Sequence, residues 1–135
     1  MAKKTHIKTI ENKTRYTVVI VNGEDGGKRI QINGFGEWRG DLVVPWIGRQ
    51  DESWKALKIY IADEDNNDNV WVFQDYWYPP NQDAVKYHVG DNFSYENAKE
   101  IPGNNKGGGD KLLSILVGRI DINGQEKYSI NLKMV

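Results

Sequence analysis

The residues best suited to meet a ligand form one run: Trp71, Phe73, Asp75, Tyr76, Trp77, Tyr78, Pro79, Pro80, Asn81, Gln82 and Asp83. Alternate side chains of an extended chain share a face, so Trp71, Phe73 and Asp75 point one way. Tyr76, Trp77 and Tyr78 are consecutive and cannot all turn inward. The two prolines behind them stop the strand. Rings at a strand end beside Asp, Asn and Gln have the chemistry of a sugar site. The aromatic face covers the apolar C–H face of a pyranose, while planar amides and carboxylates take its hydroxyls. The expected ligand residues are therefore Tyr76, Trp77 and Tyr78 for stacking, with Asp75, Asn81, Gln82 and Asp83 for hydrogen bonds. Trp38 and Trp46 flank a Gly-punctuated segment and offer a second site. Asn104 and Asn105 add amides from a long loop. The competing reading is that these rings fill the core.

Residues 63–69 (Asp-Glu-Asp-Asn-Asn-Asp-Asn) are rich in the hard oxygens that calcium takes. Asp63, Asp65 and Asp68 are the candidate ligands. The spacing departs from an EF-hand: Asp68 stands where the loop needs Gly, and Gln74 where it needs Glu. A calcium ion would have to be shared with another loop, for example one bearing Asp91 or Asp110. A solvated acidic turn is the simpler expectation.

Gly107, Gly108 and Gly109 do not make a phosphate loop, because Asp110-Lys111 and a β-prone run follow where Walker A needs Lys-Ser/Thr and a helix. Arg39-Gly40-Asp41 matches an integrin-read tripeptide, a match short enough to be chance. Asn12 and Asn92 begin glycosylation acceptor patterns. Catalysis is poorly supported. There is no cysteine, no Gly-x-Ser-x-Gly, and His6 and His88 are far apart in sequence. The chain is expected not to be an enzyme.

The elements that must carry these residues read as strands. Residues 6–10, 15–21, 28–32, 57–61, 70–75 and 84–89 are β-branched, aromatic or alternating. Residues 51–53 suit one helical turn. The pattern dissolves over residues 90–110, a loop long enough to be functional or mobile. Residues 112–122 and 125–134 flank Asn123-Gly124, a strong hairpin signal through a type I′ turn. No segment keeps a 3.6-residue period. The expectation is an all-β, antiparallel β-sandwich of the jelly-roll or Ig-like two-sheet kind, with about eight or nine strands over residues 1–135 as a single domain. A barrel is the alternative.

Composition limits the partners. The chain has 135 residues, and Lys plus Arg at 18 nearly balances Asp plus Glu at 19. That gives no ground for nucleic-acid binding by counterion release. Without cysteine there are no disulfides, and two histidines are too few for a three-His metal site. No apolar run approaches the ~20 residues of a spanning helix. The basic N-terminus has no apolar stretch behind it, so a cytoplasmic protein, or one secreted without a signal peptide, is expected.

A carbohydrate-binding protein, a small lectin, is the leading expectation. Glycans or glycoconjugates are the partners, no cofactor is required, and calcium is a possible addition. Weak sugar sites often gain avidity in a homo-oligomer. The alternatives are a membrane-active cytolysin-like sandwich, binding lipid through the Tyr76–Tyr78 rings, and a structural or assembly module. In size, strand content and an aromatic loop the chain resembles small cysteine-poor lectins and cytolysins, including the aegerolysin-like and actinoporin-like groups. No motif aligns with them, so no residue role is carried over.

Overall fold

The computed structural model describes residues 3–62, 69–75, 83–122 and 125–135, with side chains outside 117–129. The expected strands form. In chain order they are β1 (Thr5–Asn12), β2 (Val18–Asn22), β3 (Lys28–Ile32), β4 (Glu37–Val43), β5 (Trp46–Ile47), β6 (Leu57–Ile61), β7 (Val70–Asp75), β8 (Val85–Val89), β9 (Lys99–Glu100), β10 (Gly109–Ile122) and β11 (Gln125–Met134). These exceed the expected count because β5 and β9 have only two residues each and carry no periodic signal. A 3-10 turn over Gln50–Lys55 fills the place of the expected helical turn. The chain at residues 15–17 is not strand, so β2 begins later than its β-branched run suggests.

The strands make two packed sheets, an all-β sandwich. The smaller has the order β11-β10-β1-β4. The larger has the order β3-β2-β6-β7-β8-β9, and β5 joins it beside β7. Neither sheet closes into a barrel among the described residues. Most neighbours are antiparallel, as expected, but β1 pairs with β10, and β5 with β7, in parallel. A parallel pair needs a long crossover, and between β1 and β10 the chain builds the whole larger sheet.

Alternation explains the core. In β6, Leu57, Ile59 and Ile61 are buried while Lys58 and Tyr60 are half-buried on the other face. Ile7, Ile10, Leu113 and Ile115 from the smaller sheet meet Ile20, Ile59, Val70 and Val72 from the larger. Each such side chain contributes roughly 1.5–3 kcal/mol by leaving water. A second cluster of Ile47, Ala56, Phe73 and Phe93 covers the other face of β7. The Phe73 and Phe93 rings meet edge-on at 5.1 Å. This is why β7 is buried on both faces at Phe73, Gln74 and Asp75.

Gln74 is buried and bridges the sheets. Its Oε1 accepts from Thr5 Oγ1 at 2.9 Å and Trp46 Nε1 at 3.0 Å, and its Nε2 donates to the Lys3 carbonyl at 2.9 Å. Burying an amide is tolerated when its hydrogen bonds are made.

The segment that frames the candidate site is the crossing from β3 to β4. These strands are consecutive in the chain but are outer strands of different sheets. The turn at residues 33–36 therefore carries the chain across the open seam of the sandwich. Buried Asn12 fixes that turn. Its Nδ2 donates to the carbonyls of Tyr16, Ile32 and Asn33 at 2.8 to 3.1 Å, and its backbone N–H donates to the Gly36 carbonyl at 2.9 Å. Its Oδ1 accepts from Thr14 Oγ1 at 2.7 Å. Asn12 is 1% exposed, so it is no accessible glycosylation acceptor in the folded chain.

Candidate functional site

The seam between β3 and β4 holds a groove of about 390 Å³. Its apolar wall comes from Ile30, Trp38 and Leu42. Trp38 and Ile30 are half-buried against the main core, so one side of the indole is packed while the residue still lines the groove. The indole lies along its own strand, over Gly40. A Cβ at Gly40 would stand 2.5 Å from the Trp38 Cζ2 and 2.8 Å from Cη2. Residues two apart on a strand share a face, so only glycine leaves the ring this berth.

Polar groups surround that wall. Asn22, Asp25, Lys28, Arg29, Gln31 and Asp41 also line the groove. Asp25 and Lys28 arrive there through the β2–β3 connection, where Gly26 and Gly27 take φ of 62° and 80° and the Gly27 N–H donates to the Asn22 carbonyl. The Asn22 Oδ1 is buried and has no hydrogen-bond partner among the described residues. Buried acceptors left unpaired are rare in native proteins and cost about 1–3 kcal/mol each. Asp41 bonds His6 Nδ1 at 2.8 Å and lies 3.5 Å from Lys8 Nζ. The His6 hydrogen bond, aided by the Lys8 charge, holds the Asp41 carboxyl below the usual carboxylate range. The groove thus combines an aromatic wall, a polar rim, and an anion that stays ionised.

The residues expected from sequence fall in different places. Trp38 lines the groove. Trp46, Asp75, Asp83 and Asn105 gather elsewhere, around the end of β7 and the start of β8. Trp46 is half-buried and donates to Gln74. Asp75 is 1% exposed, and its carboxylate takes Lys86 Nζ at 2.6 Å and the Tyr95 hydroxyl at 2.6 Å. Asp83 has φ 83° and donates its backbone N–H to the Asp75 carbonyl. Asn105 donates through Nδ2 to the Ile101 carbonyl at 2.9 Å and accepts the Val85 N–H. Asn104 is exposed, its backbone N–H held by the Met134 carbonyl. Tyr76, Trp77, Tyr78, Asn81 and Gln82 lie outside the described residues, as do Asp63, Asp65 and Asp68 and the Asn123-Gly124 turn. No cluster of three or more His, Asp or Glu suited to a metal ion occurs among the described residues.

The Arg39-Gly40-Asp41 tripeptide lies within β4, not at a loop tip. Arg39 pairs with Glu37, and Asp41 pairs with His6. Asn22 and Gln31 do not stand out by residue type, and Asp41 does so only within the Arg39-Gly40-Asp41 match. The signal available for them was Gly at position 40, two residues after Trp38, where a strand face needs room for a ring.

No protein-family model matches the chain, and no match is found among curated proteins or solved structures. No helix among the described residues is long and apolar enough to cross a membrane. Fold and groove together define a two-layer β-sandwich with a polar-rimmed aromatic groove on its open seam.

Proposed function

We propose that this chain is a carbohydrate-binding protein that seats a sugar in the β3–β4 groove. The observation that carries the reading is the Trp38 indole walling a groove that Asn22, Gln31 and Asp41 also line. The pyranose C–H face would cover the indole. Gln31 and Asp41 supply hydroxyl partners at the rim. The groove's 390 Å³ falls within the roughly 300–1,000 Å³ typical of small-ligand sites.

The test is a glycan array on the purified protein, in calcium and again in EDTA, beside Trp38→Ala and Trp77→Ala. The expected result is a defined glycan group bound by the native chain and lost in Trp38→Ala. Loss in Trp77→Ala alone would move the sugar to the Tyr76–Gln82 run. Loss in EDTA would point to calcium at Asp63, Asp65 and Asp68. Absence of binding by the native chain in both buffers would sink the reading.

A further inference from the structure

Phe35 is the most exposed large apolar residue described, at 76%, and its backbone lies in the left-handed region at φ 59°. A bulky side chain there is an outlier, because its Cβ crowds the following carbonyl. The neighbours on both sides are glycines, Gly34 and Gly36, which adopt such turns readily. A third glycine would relax the turn and remove an apolar ring from water. The surrounding structure instead holds Phe35 in place. Its N–H donates to the Thr14 carbonyl at 2.8 Å, the Gly36 N–H closes back on Asn33 at 2.8 Å, and Asn12 bonds the carbonyls on either side. Gly34 is wedged so tightly that a Cβ would stand 2.4 Å from the Arg15 carbonyl oxygen. The ring is thus presented by a rigid turn, against both backbone preference and solvation. Strain that the neighbourhood over-determines is a mark of functional positions.

The turn that presents it is the one that closes the β3–β4 seam, and Trp38 follows three residues later. Their Cα atoms are within ~11 Å of each other by chain length alone. The flanking Asn33 and Glu37, and Lys13 and Arg15 beside Thr14, are exposed polar residues. A lone ring among polar groups is a poor start for a lipid or protein patch, which needs several hundred Å² of contiguous apolar surface. It is a good platform for one sugar face.

We propose that Phe35 is a second stacking platform beyond the mouth of the Trp38 groove, so that the ligand is an extended oligosaccharide and not a single sugar. This rests on the carbohydrate reading of the groove. The test is titration calorimetry with linear oligomers of glucose, mannose, galactose and N-acetylglucosamine, each from the monosaccharide to the hexasaccharide. The native chain should gain about tenfold in affinity as the oligomer lengthens past the groove. Phe35→Ala should lose that gain and keep native affinity for the short ligands, while Trp38→Ala loses both. Phe35→Asn, which suits a positive φ, should melt no lower than the native chain and bind like Phe35→Ala. If Phe35→Ala and Phe35→Asn follow the native chain at every length, the second platform is wrong and the groove stands. If the native chain binds none of the oligomers, the carbohydrate reading falls and takes this inference with it.

Discussion

The Trp38 indole occupies the space in which Gly40 would carry a side chain, with ring carbons 2.5 and 2.8 Å from the position of a Cβ. The two residues share one face of β4, and the ring's placement in the seam depends on the missing side chain. Gly40→Ala would ordinarily help a strand by about 0.5–1 kcal/mol. Here the added methyl must push the indole off the core, an overpacking effect of about 1–3 kcal/mol. The variant should therefore be less stable in urea, shift its tryptophan fluorescence and bind glycan weakly. A Gly40→Ala variant that is more stable and keeps its fluorescence would show that the ring moves without penalty.

Asp75, a candidate hydroxyl partner by its sequence position, is 1% exposed and has Lys86 and Tyr95 on its two oxygens. Lys86 is nearly buried as well, its side chain 14% exposed. Removing one member of such a pair leaves the other charge in a poor solvent, at about 3–5 kcal/mol. Asp75→Asn should lose stability near the lower end of that range, since Lys86 keeps a little water. Asp75→Asn with Lys86→Met should recover part of the loss. Denaturant midpoints of the three chains check this. Unchanged stability with lost glycan binding would return Asp75 to the ligand.

Asn12 ties Tyr16, Ile32 and Asn33 together through one amide group. Asn12→Ala removes the Nδ2 donor from those carbonyls, the Ile32 one buried and the other two part-buried, while the Thr14 hydroxyl keeps its bonds to Tyr16. Each hydrogen bond lost contributes about 0.5–1.5 kcal/mol. The expected drop is about 2–4 kcal/mol, with the β3–β4 turn loosened. Hydrogen exchange should speed up at the Phe35 and Gly36 amides before it does in β6. Uniform exchange across the molecule would mean that the amide supports the whole sandwich and not the turn.

Much of this fold is legible in the residues. The alternation of Leu57, Ile59 and Ile61 against Lys58 and Tyr60 gives β6 and its buried face. The two runs around Asn123-Gly124 give the β10–β11 pairing. Alternation assigns a side chain to a face but does not say what covers that face. Asp75 shares its face with Trp71 and Phe73, and the cover comes from Phe93 and Tyr95, about twenty residues on. The parallel β1–β10 contact is also non-local, and no short-range pattern encodes it. The candidate groove is half legible. Trp38 stands out by type, whereas Asn22 and Gln31 gain meaning only when sheet order makes β3 and β4 the two outer strands of one seam.

Glu52 provides one acid dependence. It sits in the 3-10 turn beside the second core cluster, with Lys55 Nζ at 2.7 Å and the Gly48 N–H at 3.0 Å. The Lys55 hydrogen bond first, and then the Gly48 N–H, hold its carboxyl below the ordinary value of 4.5, against an opposing push from burial. A carboxyl whose folded value is depressed binds its proton more readily in the unfolded chain. Its stabilising contribution is thus complete above about 4.5 and fades as the pH falls through the lower, folded value. Glu52→Gln keeps the shape and loses the charge. It should reduce stability at neutral pH by about 1 kcal/mol or less, as a partly exposed pair does. Towards acid the native and variant melting temperatures should converge, because the native carboxylate is being neutralised. Melting curves of both chains, from neutral pH down through the carboxylate range, measure this directly. A difference that stays constant across that range would mean the Gly48 and Lys55 contacts act through shape and not through charge.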